Sequence, residues 1–270
     1  MPAAPGLARS GGGTAVAAVD RKMGWISSLR GRVQCRYLMV YRVDPAVAAP
    51  LLPEGSSPHV FRGSTLIVLC YTHLVGASSR LLPRWLRGQS DHLAWRIPVV
   101  RDGVRGVWIP RRDTSSWVSV RFSGALSQGT YHLARFELED GEGRLRLRVS
   151  AGGEEVLYLA AEHAGELRGS LFSTTRQAHE YLAEAGAVNP PDPLAPALDR
   201  LDVGTGNTVE PLLVRELRIP RFEDVGLFPR GSVEFDCCLR LTNARRTDPL
   251  RVSELRPLEV PLEGAVPSRG

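Results

Sequence analysis

The sequence predicts a β-dominated α+β fold, a curved antiparallel sheet or barrel with few helices. Three observations carry that expectation. Segments rich in β-branched and aromatic residues recur through the 270 residues. Short glycine-bearing breaks separate several of them at hairpin spacing. Only one stretch carries the caps and apolar stripe of a helix longer than two turns.

Residues 1–23 lack the continuous apolar core of a signal peptide and read as a disordered tail. A single domain is expected over 24–260, with 261–270 a C-terminal tail. Val33 to Val43, "VQCRYLMVYRV", reads as the first strand. "DPAVAAPLLPEG" follows, with Asp44 as N-cap, Pro45 at the first helical position and Gly55 as a stop, which predicts a short helix. Ser64 to Val75 is apolar on both faces, as a central strand is. A Pro- and Arg-bearing loop spans Arg80 to Gln89. His92–Val100 and Gly103–Pro110 then flank an Asp102-Gly103 hairpin signal.

A second hairpin turns at Gly141-Glu142-Gly143. Beyond it Arg144, Arg146 and Arg148 alternate with Leu145, Leu147 and Val149, so one face is wet and one buried. The helix follows: Ser173 or Thr174 caps it, Ala178, Tyr181 and Leu182 form its stripe, and Gly186 ends it. "NPPDPLAP" reads as a rigid connector and "GTGN" (Gly204 to Asn207) as a turn, since it lacks the lysine and helix of a phosphate loop. "TVEPLLVRELRIP" and "GSVEFDCCLRLTN" supply two closing strands.

Composition narrows the function. The hydrophobic fraction of 43% and charged fraction of 23% are those of a globular protein, and no apolar run reaches a membrane span. The 34 basic and 29 acidic residues nearly balance and form no polybasic run, which argues against a nucleic-acid groove. Lys22 is the only lysine, so the remaining 33 basic residues are arginine. Cys35, Cys70, Cys237 and Cys238 fit no zinc template and point to buried free thiols in a reducing cytoplasm. No metal or other cofactor is expected, and assembly into a homo-oligomer stays open.

The order of these segments resembles the acetoacetate-decarboxylase-like superfamily, and more closely its branch of uncharacterised conserved bacterial proteins. The resemblance rests on "DPAVAAPLLPEG", the apolar strand ending near Tyr71, "HLAWRIPVV" with "GVWIPRRDTSS", and "FPRGSVEFDC", spanning Val33 to Leu250. It implies that superfamily's barrel. In its decarboxylases a proline precedes two lysines, one forming a Schiff base with the keto acid; the similar position here reads Pro110-Arg111-Arg112. A guanidinium stays protonated and cannot act as that amine. Where the decarboxylases have Tyr-x-Glu, this chain has Tyr71-Thr72-His73.

The expected site is therefore a pocket for a small anionic ligand, a keto acid or polyketide-like carboxylate. Arginine grips carboxylates in two-pronged geometry. Arg111 and Arg112 point to opposite faces if the strand continues, so at most one faces the interior, with Asp113 placed to orient it. Alternation puts Tyr71 and His73 on one face with Ile67 and Leu69, and His92 with Arg96 on one face of theirs. Glu234, opposite the apolar face of Val233, Phe235 and Cys237, is one candidate partner for such a buried polar set. If chemistry follows, His73 or His92 moves protons while Arg111 stabilises an enolate. The alternatives are a non-catalytic binding protein and a structural domain whose barrel is filled by side chains.

Overall fold

The computed structural model describes residues 30–78, 88–121, 131–185, 207–223, 228–243 and 250–251. The two expected tails, the connector, the turn at Gly204 and most of the loop from Arg80 lie outside the described residues. Strand β1 (Arg30–Val43) leads into helix α1 (Pro45–Ala48), where Asp44 Oδ1 accepts from the Ala46 amide at 2.7 Å. Short strands β2 (Ser56–Pro58) and β3 (Val60–Phe61) precede β4 (Ser64–Ser78), β5 (Gly88–Arg101), β6 (Val104–Thr114) and helix α2 (Trp117–Arg121). Then come β7 (Tyr131–Leu133), β8 (Arg135–Gly141), β9 (Arg144–Ala151) and β10 (Glu154–His163). Helix α3 (Thr175–Ala185), β11 (Asn207–Arg218), helix α4 (Pro220–Glu223), β12 (Val233–Asn243) and β13 (Leu250–Arg251) complete the described chain.

The main sheet runs β7-β6-β5-β4-β1-β12-β11-β10-β9-β8 and curls into a nearly closed barrel. All its pairings are antiparallel except β6 with β7. Its two edge strands are consecutive in the chain, with only Ala134 between them. Residues 131–141 thus act as one bent strand that starts against β6 and ends against β9, joining the edges. Tight turns set the registers: Asp102 and Gly103 both have positive φ (51° and 75°), as a two-residue type I′ hairpin requires.

Alternation sorts the side chains. Tyr37, Met39, Ile67, Leu69, Leu93, Trp95, Leu147, Leu157 and Leu159 fill the interior. Leu38, Val40, Leu66, Val68 and Leu239 face outward beneath Ala178 and Tyr181 of α3. That helix is capped by Thr174, whose hydroxyl accepts from the Gln177 amide at 3.1 Å. Cys238 points in and Cys237 out, both free thiols. No described helix is long and apolar enough to cross a membrane.

Two irregularities re-aim functional side chains. The β6 strand continues four residues past Pro110, where the sequence pattern ends it. Trp95 pairs with Arg111 and Ile97 with Trp108, so Ile109 and Pro110 together oppose Arg96 alone. That is a β-bulge, and it accommodates a proline that cannot donate to the ladder. It also shifts the parity of everything after it. On β12, Phe235 pairs with Tyr41 and Cys237 with Val40, leaving Asp236 as the extra residue. Asp236 accepts from Ser170 Oγ (2.6 Å) and the Leu171 amide (2.8 Å), anchoring the segment that leads to α3.

Candidate functional site

Three rows of inward side chains cross β4, β5 and β6. Leu69, Trp95 and Arg111 form one, Tyr71, Leu93 and Asp113 the next, and His73 with Asp91 the last. Simple alternation from Trp108 would turn Arg112 inward; the bulge at Ile109-Pro110 turns Arg111 inward instead. Arg111 and Asp113, two residues apart on one face, make a two-pronged ion pair: Nε to Oδ2 at 2.8 Å and Nη2 to Oδ1 at 2.6 Å. The Asp113 side chain is 0% exposed and that of Arg111 10%. Asp113 holds the guanidinium in plane and leaves its Nη1 without a partner among the described residues.

At the row nearest solvent, Asp91 Oδ1 receives two hydrogen bonds, from Tyr71 Oη at 2.6 Å and His73 Nδ1 at 2.7 Å. A carboxylate only accepts, so Nδ1 of His73 carries a proton, and in the neutral imidazole the lone pair lies on Nε2. Asp91 is fixed through its backbone, donating its amide to Ser115 Oγ and accepting the Ser115 amide on its carbonyl. The side chains of His73 and Asp91 are 18% and 22% exposed, so the dyad is reachable.

A second unit adjoins the first. Tyr37 lies across from Tyr71 in the β1–β4 pairing, their rings stacked with centroids 5.6 Å apart. Its hydroxyl donates to Asp140 Oδ2 at 2.5 Å, and Arg240 Nη2 donates to the same oxygen at 2.7 Å. Arg240 reaches on to His163 and Glu210 at the rim. Burial, and then the carboxylates accepting their protons, push both phenols far above their ordinary value, so both stay protonated. Cys35 beside them is raised by burial to about 11 and remains a thiol.

The structure divides the residues expected from sequence. Tyr71, His73, Arg111 and Asp113 share the interior face. His92, Arg96 and Arg112 lie on the outer face, so the barrel wall separates His92 from His73. Burial, with Arg112 adding to it and Asp91 opposing, pushes His92 down to about 4. Arg112 stacks over the Tyr131 ring at 5.6 Å. Glu234 does not join the set: its side chain is 70% exposed and paired with Arg42 at 2.8 Å, because the Asp236 bulge turns it outward. Sequence reasoning missed Asp91, Tyr37, Asp140 and Arg240. Asp91 had a signal, since a carboxylate stands two and four residues before the inward Leu93 and Trp95. The other three meet only through barrel closure.

Among the described residues no group of His, Cys, Asp and Glu is arranged to hold a metal ion. No curated protein matches the chain significantly. Among solved structures, an acetoacetate decarboxylase is similar at 15% identity with a TM-score of 0.51, covering 79% of this chain and 84% of its own. An acetoacetate decarboxylase-like enzyme from Sphingomonas wittichii RW1 is similar at 14% identity and TM-score 0.49, covering 82% of this chain and 93% of its own. The enduracididine biosynthesis enzyme MppR, solved with pyruvate, is similar at 15% identity and TM-score 0.46, covering 79% and 85%. The first of these supports a shared fold. Residues 32–195 match the DUF2071 family, described as an uncharacterized conserved protein. That match spans more than half of the sequence, and this chain belongs to the DUF2071 family, uncharacterised proteins built on the acetoacetate-decarboxylase-like fold.

Proposed function

We propose that this protein binds a small carbonyl compound bearing a carboxylate inside the barrel and moves a proton on it without a covalent intermediate. The observation that carries this reading is His73, held by Asp91 with its Nε2 uncommitted in a partly exposed position. An imidazole so oriented removes a proton from the carbon next to a carbonyl, and Asp91 balances the imidazolium that forms. The products open to this chemistry are those of enolisation, dehydration or cyclisation. Imine chemistry has no amine to work with between Val33 and Leu250, because Lys22 is the only lysine. Arg111, through Nη1, is the residue for the ligand's negative end. Asp140 and Arg240, with Tyr37, brace the adjoining part of the wall beside Tyr71.

The test is hydrogen–deuterium exchange at the α-carbon of pyruvate, acetoacetate and 4-oxopentanoate, followed by NMR in D2O. Exchange above buffer is expected for at least one of them, lowered about 10²- to 10⁴-fold in His73→Gln. Exchange equal in the wild type and His73→Gln overturns the catalytic role. A second reading, binding without catalysis, draws on the dense interior, where Leu69, Leu93, Leu147 and Leu159 are all 0% exposed. Under that reading the same acids raise the melting temperature but exchange no faster than in buffer.

A further inference from the structure

Trp95 is 1% exposed and faces the barrel interior, yet its indole Nε1 has no hydrogen-bond partner. Buried tryptophan N–H groups nearly always find an acceptor, since leaving one unmade costs free energy that a phenylalanine would avoid. Its ring is held edge-on against Phe222, with centroids 5.1 Å apart. Directly across the strand pair, on the same face, stands Arg111, whose Nη1 is the one guanidinium nitrogen that Asp113 leaves over. Opposite residues on an antiparallel pair have Cβ atoms about 5 Å apart, so the two side chains start side by side on that face. Each of the two carries one donor, that of Arg111 on a cation, and neither donor has an acceptor among the described residues.

We infer that Trp95 Nε1 and Arg111 Nη1 form the subsite that grips the carboxylate of the ligand, which makes Trp95 a specificity-determining residue. This rests on the reading of the barrel as a site for small keto acids. An ammonium or amide donor would gain nothing from two donors; a carboxylate satisfies both at once. The subsite also fixes which end of the ligand it holds. Asp91 and Trp95 are four residues apart on β5, their α-carbons roughly 13 Å apart at about 3.3 Å per residue, and the long side chains of His73, Trp95 and Arg111 occupy part of that span. The carboxylate gripped by Trp95 therefore belongs to the end of the ligand remote from the carbon that His73 serves.

The experiment uses 4-oxopentanoate, which separates its carbonyl from its carboxylate, and 2-pentanone, which keeps the shape and lacks the charge. Two measurements are made on the full chain: calorimetric affinity, and the indole ¹⁵N–¹H resonances, with the Trp95 peak assigned from Trp95→Phe. Adding 4-oxopentanoate is expected to move the Trp95 peak while 2-pentanone leaves it in place. Trp95→Phe, checked for fold by circular dichroism, is expected to bind about tenfold more weakly. Binding with the Trp95 peak unmoved, or an equal shift with 2-pentanone, overturns the subsite and leaves the keto-acid reading intact. No binding of 4-oxopentanoate, pyruvate or acetoacetate overturns both.

Discussion

Asp113→Asn removes one negative charge from the barrel interior and changes almost nothing in volume. The wild-type carboxylate is fully covered and takes two bonds from Arg111, which is itself 10% exposed. At about 4 Å and an effective dielectric near 20 such a pair is worth roughly 4 kcal/mol of attraction. Deleting one partner also strands the other charge away from water, and breaking a buried pair this way typically costs about 3–5 kcal/mol. Against a total stability of roughly 5–15 kcal/mol, that is a large share of what holds the fold. Urea denaturation followed by circular dichroism is expected to show the midpoint falling with an unchanged slope. In a thermal scan the loss corresponds to roughly 6–20 °C, at about 2–4 °C per kcal/mol for this size of domain. The control is the double variant Arg111→Met/Asp113→Leu, expected within about 1 kcal/mol of the wild type or above it, since no charge is stranded. A loss below about 1 kcal/mol in Asp113→Asn refutes the reasoning, because only a solvated pair is worth so little.

Two further outcomes follow from the two faces of the wall. His92 is held near 4 by burial, below its ordinary 6.5, so the unfolded chain binds this proton more readily than the folded one. Stability is therefore full above pH 6.5 and falls as the pH drops toward 4, by up to roughly 3 kcal/mol at 1.36 kcal/mol per unit. His92→Gln is expected to flatten that part of the urea-midpoint profile; an unaltered profile counts against the assignment. Arg111→Lys loses the planar fork and is expected to weaken 4-oxopentanoate binding about ten- to hundredfold, whereas Arg112→Lys, on the outer face, changes calorimetric affinity little. Equal effects from both would mean that the bulge does not set which arginine faces the ligand.

Much of this architecture is readable from alternation and turn chemistry. The hairpins at Asp102-Gly103 and Glu142-Gly143, the α3 helix with its Thr174 cap, and the shared face of Tyr71 and His73 all follow from local pattern. Opposite faces for Arg111 and Arg112 follow as well. Which of them faces inward does not, because the answer turns on a one-residue bulge whose position depends on the pairing of Trp95 and Ile97 with the next strand. The same effect on β12 misplaced Glu234. Asp91 is legible, since it shares the inward alternation of Leu93 and Trp95. The bond from Tyr37 to Asp140 joins residues 103 positions apart and depends on β8 arriving beside the interior from the far edge of the sheet. No local periodicity encodes that.

The bent strand around Ala134 carries a consequence for how the protein is made. With the two sheet edges joined in sequence, nearly every neighbouring pair among the described strands is also a chain neighbour, and the seam of β1 against β12 and the short β13 is left to long-range encounter. Hairpins and short arcs form early because their loops are short; the seam must wait for β12, which ends at Asn243. At about 5–20 residues per second, the ribosome needs roughly 10–40 s to synthesise the chain between those two strands. Throughout that interval β1 offers an unpaired edge rich in tyrosine and valine, the kind of surface that recruits other strands. A chain cut before β12 keeps that edge open permanently, so C-terminal truncations entering Val233–Asn243 are expected to aggregate during expression.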